Sequence, residues 1–237
     1  NILPGDEIKL LLTLDDGYFT HSDTLTLIFG VPYPIFSDDC STMENWSSNK
    51  WGNNSFVYNS PPASITDSPV GNYSSNANTS IISSQEFDLT DAKAAMLSYH
   101  TLWDIERRYD FIQVLTSVDQ GQQWVPLMGK YTSLSSNPLV MDQPVYQGSN
   151  LEWVKEEINL NRFTGQKLKI KFVLKSNQFI NKDGFYFDDF SVQIIDKSTG
   201  INPSEQNNRI LYTIFPNPAK DAVHISIGHS ITAQSIE

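Results

Sequence analysis

At 237 residues the chain is long enough for one large β-domain, or one domain with partial neighbours, and 16 Lys and Arg against 27 Asp and Glu give a formal charge of −11. That balance argues against a phosphate-binding basic face and against an anionic membrane surface, and it suits divalent cations, which carboxylates bind. The single cysteine, Cys40, excludes an internal disulfide and a cysteine-based zinc site, and no apolar run reaches the length of a membrane span.

The start, Asn1-Ile2-Leu3-Pro4, carries no signal-peptide pattern and reads as a processing boundary, not a native N-terminus. Residues 6–29 read as a hairpin: Ile8, Leu10, Leu12 and Leu14 alternate, Asp15-Asp16-Gly17 turns, and Leu25, Leu27 and Phe29 return. Two strands do not form a stable unit in water, so residues 1–33 are either the tail of an upstream β-domain or pack on the residues downstream of them. Val31-Pro32-Tyr33-Pro34 reads as a stiff linker.

Residues 35–85, rich in Asn, Ser and Pro, predict short strands and long loops. Ala95–Trp103 is apolar on both faces, as a central sandwich strand is, and Phe111–Ser117 pairs through Asp119-Gln120-Gly121 with a strand from Gln123 to Leu127. Leu151–Leu160 fits helix or strand. Lys167–Lys175 is the clearest strand: Leu168, Ile170, Phe172 and Leu174 point one way, and Lys167, Lys169, Lys171 and Lys175 the other. Phe185–Ile195 is the last strand of this region, 197–209 has linker composition, and Ile210–Phe215 and Ala222–Ile227 are two short strands beyond it. The whole predicts an all-β, antiparallel sandwich with flanking partial β segments: 1–33, a module at 34–196, a linker, and a further segment at 210–237.

Hydrolytic motifs are absent. None of His21, His100, His224 and His229 has Glu three residues on, and there is no Gly-x-Ser-x-Gly. Cys40 reads as a small buried residue rather than a nucleophile. Asp104 and Glu106 share a strand face and could serve as a glycosidase pair. Trp46, Trp51, Tyr58, Trp103, Trp124 and Trp153 could line a sugar-binding face, although strand periodicity assigns most of them to the core.

Several blocks, in order, resemble the jelly-roll modules appended to immune inhibitor A-type metallopeptidases and, more distantly, MAM domains. They are Phe36-Ser37-Asp38-Asp39 with Asn45-Trp46, Ile65 through Tyr73 and on to Asn78, Trp103-Asp104-Ile105-Glu106 with Tyr109-Asp110, Trp153 with Leu160, and Asp183 through Asp189. The stretches Trp153–Glu157 and Lys182–Phe187 look most like the version attached to secreted zinc carboxypeptidases of Bacteroidetes. Phe215-Pro216-Asn217-Pro218-Ala219-Lys220-Asp221 resembles the opening of the C-terminal sorting domain read by the type IX secretion machinery.

The resemblance implies an extracellular, non-catalytic accessory module that partners an upstream peptidase domain and holds a structural Ca²⁺. Its expected ligands are Asp39, Asp67, Asn72 and Asp189. One carboxylate usual in the family is replaced by Ser41, and Glu44 is an open alternative. A carbohydrate- or surface-binding module, or an adhesin fragment, are the competing expectations. Glycan or protein substrate is a further partner; nucleic acid is not.

Overall fold

A computed structural model describes residues 2–48 and 50–196, and among them period-two alternation builds nearly everything. The strands in chain order are β1 (Glu7–Asp15), β2 (Thr20–Ile28), β3 (Tyr33–Asp38), β4 (Trp46–Ser47), β5 (Gly52–Asn54), β6 (Ser64–Thr66), β7 (Asn78–Ser83) and β8 (Phe87–Asp88). There follow β9 (Ala94–Ile105), β10 (Phe111–Ser117), β11 (Val125–Pro126), β12 (Ser133–Leu134), β13 (Pro144–Val145), β14 (Gly148–Asn159), β15 (Lys167–Lys175) and β16 (Gly184–Ile195). Two 3-10 turns, Pro138–Val140 and Asn161–Phe163, are the helical elements among the described residues.

The chain separates into two units. Among the described residues, one takes 2–33, Asp91–Ala94 and 194–196, and the other 34–48, 50–90 and Ala95–Gln193. In the first, β1 and β2 pair in register from Glu7 opposite Ile28 to Asp15 opposite Thr20, as the sequence alternation predicts. Ile8 and Leu10 face Leu27 and Leu25 across the ladder, while Leu12 and Leu14 stand exposed.

The second unit is a sandwich of two six-stranded antiparallel sheets. One runs β11-β10-β15-β7-β4 with β8 also on β15; the other runs β14-β9-β16-β6-β5 with β3 also on β16. Rings fill the space between them. Phe172 of β15 stacks on Phe187 of β16 at 4.5 Å, and Trp46 of β4 meets Phe187 and Phe190 edge-on at 5.0 Å.

Three local readings need correction. Tyr33 and Pro34 open β3 and are not linker, because proline is tolerated at a strand start where its missing N–H is not required. The ambiguous stretch is strand: β14 pairs with β9 across an irregularity between Asn150 and Val154, so propensity for helix yields to the ladder. The strand expected from Gln123 to Leu127 shrinks to Val125–Pro126, where Pro126 supplies no ladder N–H. The linker at 197–209 and the segment at 210–237 lie outside the described residues.

Candidate functional site

The four expected cation ligands divide between two cavities. Asp67 and Asn72 line one of about 530 Å³, bounded by the loop after β6, Asn78 and Thr79 of β7, and Leu174. Asp39 and Asp189 line another of about 680 Å³, with Ser37, Ser41, Glu44 and Ser191.

One ion cannot collect all four. The Asp67 N–H bonds the Phe185 carbonyl, and Asp189 lies four residues further along β16, about 13 Å at strand rise. Two oxygens on one Ca²⁺ lie at most about 5 Å apart. The single four-residue site expected from sequence is therefore corrected, and among the described residues no cluster of three or more His, Cys, Asp or Glu side chains forms a metal centre.

Burial separates the roles within each Asp pair. Asp38 is buried, accepting from Cys40 N at 2.9 Å and Trp46 Nε1 at 2.7 Å. Asp188, wholly buried, accepts from the backbone N–H groups of Asn59 and Ser60 at 2.8 and 2.9 Å. Burial pushes its carboxyl up, and those two N–H groups oppose the shift.

The second member of each pair faces the larger cavity. Asp39 is exposed, and the Ser41 hydroxyl and N–H hold its carboxyl below the ordinary range. Asp189 sits at φ 52°, where β16 breaks its alternation so that Phe187 and Phe190 both point inward. Ser37 and Ser191 bring their hydroxyls to 3.5 Å beside this pair. Asp39, Glu44 and Asp189 line this cavity with Ser37, Ser41 and Ser191, while Asp189 already accepts from Asn59 Nδ2 and the Ser60 hydroxyl at 2.7 Å each.

Asp67 is different. It is buried, its Oδ1 accepts from Phe185 N at 2.6 Å, and its Oδ2 has no hydrogen-bond partner. Burial raises its pKa to about 7, against the opposing pull of the Phe185 N–H and Ser68. Gly184 makes this fit possible: at φ +105° a Cβ there would lie 2.5 Å from Asp67 Oδ1. Asn72 donates through Nδ2 to the Asn181 carbonyl and ties two loops together.

No hydrolytic pair emerges around Asp189. The Ser60 hydroxyl donates to Asp189 Oδ1 at 2.7 Å, and His100 Nδ1 lies 3.1 Å from Oδ2. Hydroxyl and imidazole both address the carboxylate and not each other, so nothing activates Ser60 as a nucleophile.

Asp104 is spent on Lys182 at 2.7 Å, and Glu106 Oε2 accepts from Asn177 Nδ2 at 2.9 Å. Asp110 accepts from Asn177 N and from the Tyr73 hydroxyl, and burial raises its pKa. These acids fasten loops. Trp46, Trp51 and Trp103 are core; Trp124 and Trp153 are half-buried, and Tyr58 is exposed. Cys40 is buried at φ 56°, where burial holds its thiol protonated.

Two residue sets escaped sequence reasoning. One is Asp188 with Asn59 and Ser60, a long-range anchor that residue type alone does not reveal. The other is Glu156, wholly buried in β14.

Residues 71–214 match the immune inhibitor A-like MAM domain, so the chain belongs to that family. It is 27% identical over 131 residues to Bacillopeptidase F of Bacillus subtilis, covering 55% of this chain and 8% of that protein. It is also 27% identical over 120 residues to Immune inhibitor A of Bacillus thuringiensis subsp. alesti, covering 50% of this chain and 16% of that protein. The chain thus spans under a fifth of the length of either curated relative. Among solved structures it is similar to the CBM22-1 xylan-binding domain of Paenibacillus barcinonensis Xyn10C, with a TM-score of 0.44, 11% identity, and coverage of 71% and 98% of the two chains. The K3 cleaved adhesin domain of Lys-gingipain from Porphyromonas gingivalis gives a TM-score of 0.43 and 11% identity, covering 68% and 99%.

Proposed function

We propose that this chain is a non-catalytic accessory module of a larger secreted peptidase, stiffened by calcium at the Asp39–Asp189 cavity. The observation that carries the reading is the family match over residues 71–214, together with relatives several times longer than the part aligned. The Trp153–Glu157 and Lys182–Phe187 stretches support a zinc carboxypeptidase parent from Bacteroidetes, and Phe215–Asp221 supports export by the type IX machinery to the extracellular space. Residues 1–33 fit the tail of an upstream β-domain, because the hairpin leaves Leu12 and Leu14 exposed.

At the cation cavity the Asp39 and Asp189 carboxylates would hold the ion, with Glu44 and the Ser37 and Ser191 hydroxyls completing the oxygen set. The ion would tie the end of β3 to β16. Calcium at 100 times its dissociation constant adds about 2.7 kcal/mol, a rise in melting temperature of roughly 5–10 °C for a unit this size. That rise is expected on adding Ca²⁺ to chelated protein, and Asp39→Asn with Asp189→Asn should abolish it while Asp67→Asn should not. An unchanged melting temperature on adding Ca²⁺ would remove the ion, and peptide hydrolysis by the purified chain would remove the accessory reading.

The second reading is a carbohydrate- or surface-binding module, favoured by a cationic face on the sheet that carries β15.

A further inference from the structure

The chain is strongly acidic, yet one sheet face carries a row of uncompensated lysines. Lys169, Lys171 and Lys175, all half-buried, lie on the outer face of β15 with the buried Val173 between the last two, and Ile170, Phe172 and Leu174 point inward. At strand rise they span about 20 Å. The lysine ion pairs among the described residues are made by Lys155, Lys167 and Lys182, and Lys169, Lys171 and Lys175 take part in none of them.

Their placement is not the usual guard on a sheet edge, where lysine blocks strand addition. β15 is flanked by β10, from Phe111 opposite Lys175 to Ser117 opposite Lys169, and by β7, from Ile82 opposite Lys171 to Asn78 opposite Lys175. It has no edge there to protect.

The middle lysine is held in position. Its ammonium lies 4.3 Å over the Trp124 ring, and Trp124 Nε1 donates to the Gly121 carbonyl at 2.9 Å. Gly121 packs against the same ring, where a Cβ would lie 3.3 Å away. Burial and repulsion from Lys175 pull the Lys171 pKa down.

We propose that this face binds an anionic polysaccharide, with the acidic groups of the sugar chain lying along Lys169, Lys171 and Lys175. An added peptide strand needs free backbone groups at a sheet edge, which a central strand does not offer. A polysaccharide needs only side-chain partners along its length, and Lys169, Lys171 and Lys175 provide three, spaced two and four residues apart with the buried Val173 between the last two. The inference rests on the carbohydrate-binding reading and is independent of the calcium cavity.

Native affinity electrophoresis of the 237-residue chain tests it, in gels containing polygalacturonate, dextran sulfate, neutral dextran or poly-glutamate. Retardation by polygalacturonate or dextran sulfate, weakening as salt is raised, is expected. Comparing these two gels tells a carboxylated ligand from a sulfated one. The triple variant Lys169→Gln, Lys171→Gln, Lys175→Gln keeps the packing stems and should lose roughly 10- to 100-fold in affinity. The matching Lys→Arg triple should retain binding, which guards against a folding artefact.

Equal retardation of the Gln triple and the parent would overturn the assignment. So would equal or stronger retardation by poly-glutamate, which would make the face a site for acidic protein. Retardation by neutral dextran alone would leave the carbohydrate reading standing and remove the anionic one. No retardation in any gel would remove both.

Discussion

Replacing Glu156 with alanine is expected to cost about 3–5 kcal/mol of stability, read as a lowered urea midpoint at unchanged slope. The carboxylate is wholly buried, and it gathers four donors. Oε1 accepts from Lys130 N at 2.6 Å and Glu157 N at 2.8 Å; Oε2 accepts from Tyr131 N at 3.0 Å and the Tyr146 hydroxyl at 2.6 Å. With its proton committed to Glu156, Tyr146 accepts from Tyr99 at 2.7 Å, deep in the core. The carboxylate is one tie on the long excursion between β11 and β14, which the Ile112–Tyr146 backbone bonds and the Gln113–Gln143 side-chain bond also hold. Gly129 packs so tightly on it that a Cβ would lie 2.7 Å from the carboxyl. Alanine removes the acceptor of the part-buried Lys130 and Tyr131 N–H groups and forces the buried Tyr146 hydroxyl to turn to Tyr99, and each lost bond costs about 1–3 kcal/mol. Glutamine restores one acceptor oxygen and should lose about half as much. A loss below about 1 kcal/mol for the alanine variant would show that the excursion holds itself.

The second large effect is one of pH. Asp67 binds its proton up to about pH 7 in the folded protein, whereas an unfolded aspartate releases it near 3.8. Between those values the folded state keeps a proton that the unfolded chain has lost, so raising the pH favours unfolding. The stabilisation is fully present below about pH 4 and is lost as pH rises through 7. It amounts to about 4 kcal/mol, taking about 1.4 kcal/mol per pH unit as the conversion. Asp110, Asp188 and Glu156, raised by burial, act in the same direction. Asp39 and Asp119 are lowered at the surface and act oppositely, but solvent screens them. Asp67→Asn should therefore be more stable than the parent at about pH 8 and nearly equal to it at about pH 4, by urea titration at both values. A parallel pair of stability curves would exclude Asp67 as the titrating group.

Much of the architecture was readable because β15 alternates clearly at its start and β9 is apolar on both faces, which marks a two-faced strand in the one and a central strand in the other before any partner is known. The spacing Phe185, Phe187, Phe190, Val192, Ile194 also announced the break in β16, since one interval of three interrupts a run of twos. Glu156 was readable in principle: in β14 it alternates with the buried Ile158, and only the helix–strand ambiguity of that stretch concealed an inward acid. The grouping of cation ligands was not legible. Whether Asp67 and Asp189 meet depends on where each falls along β16, a matter of register that composition does not encode. The partners of Asp188, the Asn59 and Ser60 amides, are 129 and 128 residues away in the chain.

Strand β3 leads into the sandwich and β16 leads out, and the two lie side by side, with Tyr33 bonded to Asp196 and Ser37 beside Ser191. As one number rises the other falls, so both ends of the sandwich unit emerge at the same place. Tension through the flanking polypeptide would load these rungs in sequence rather than together, and the sandwich would open like a zip at low force. A cation between Asp39 and Asp189 would sit just beyond those rungs and act as the stop on the slider.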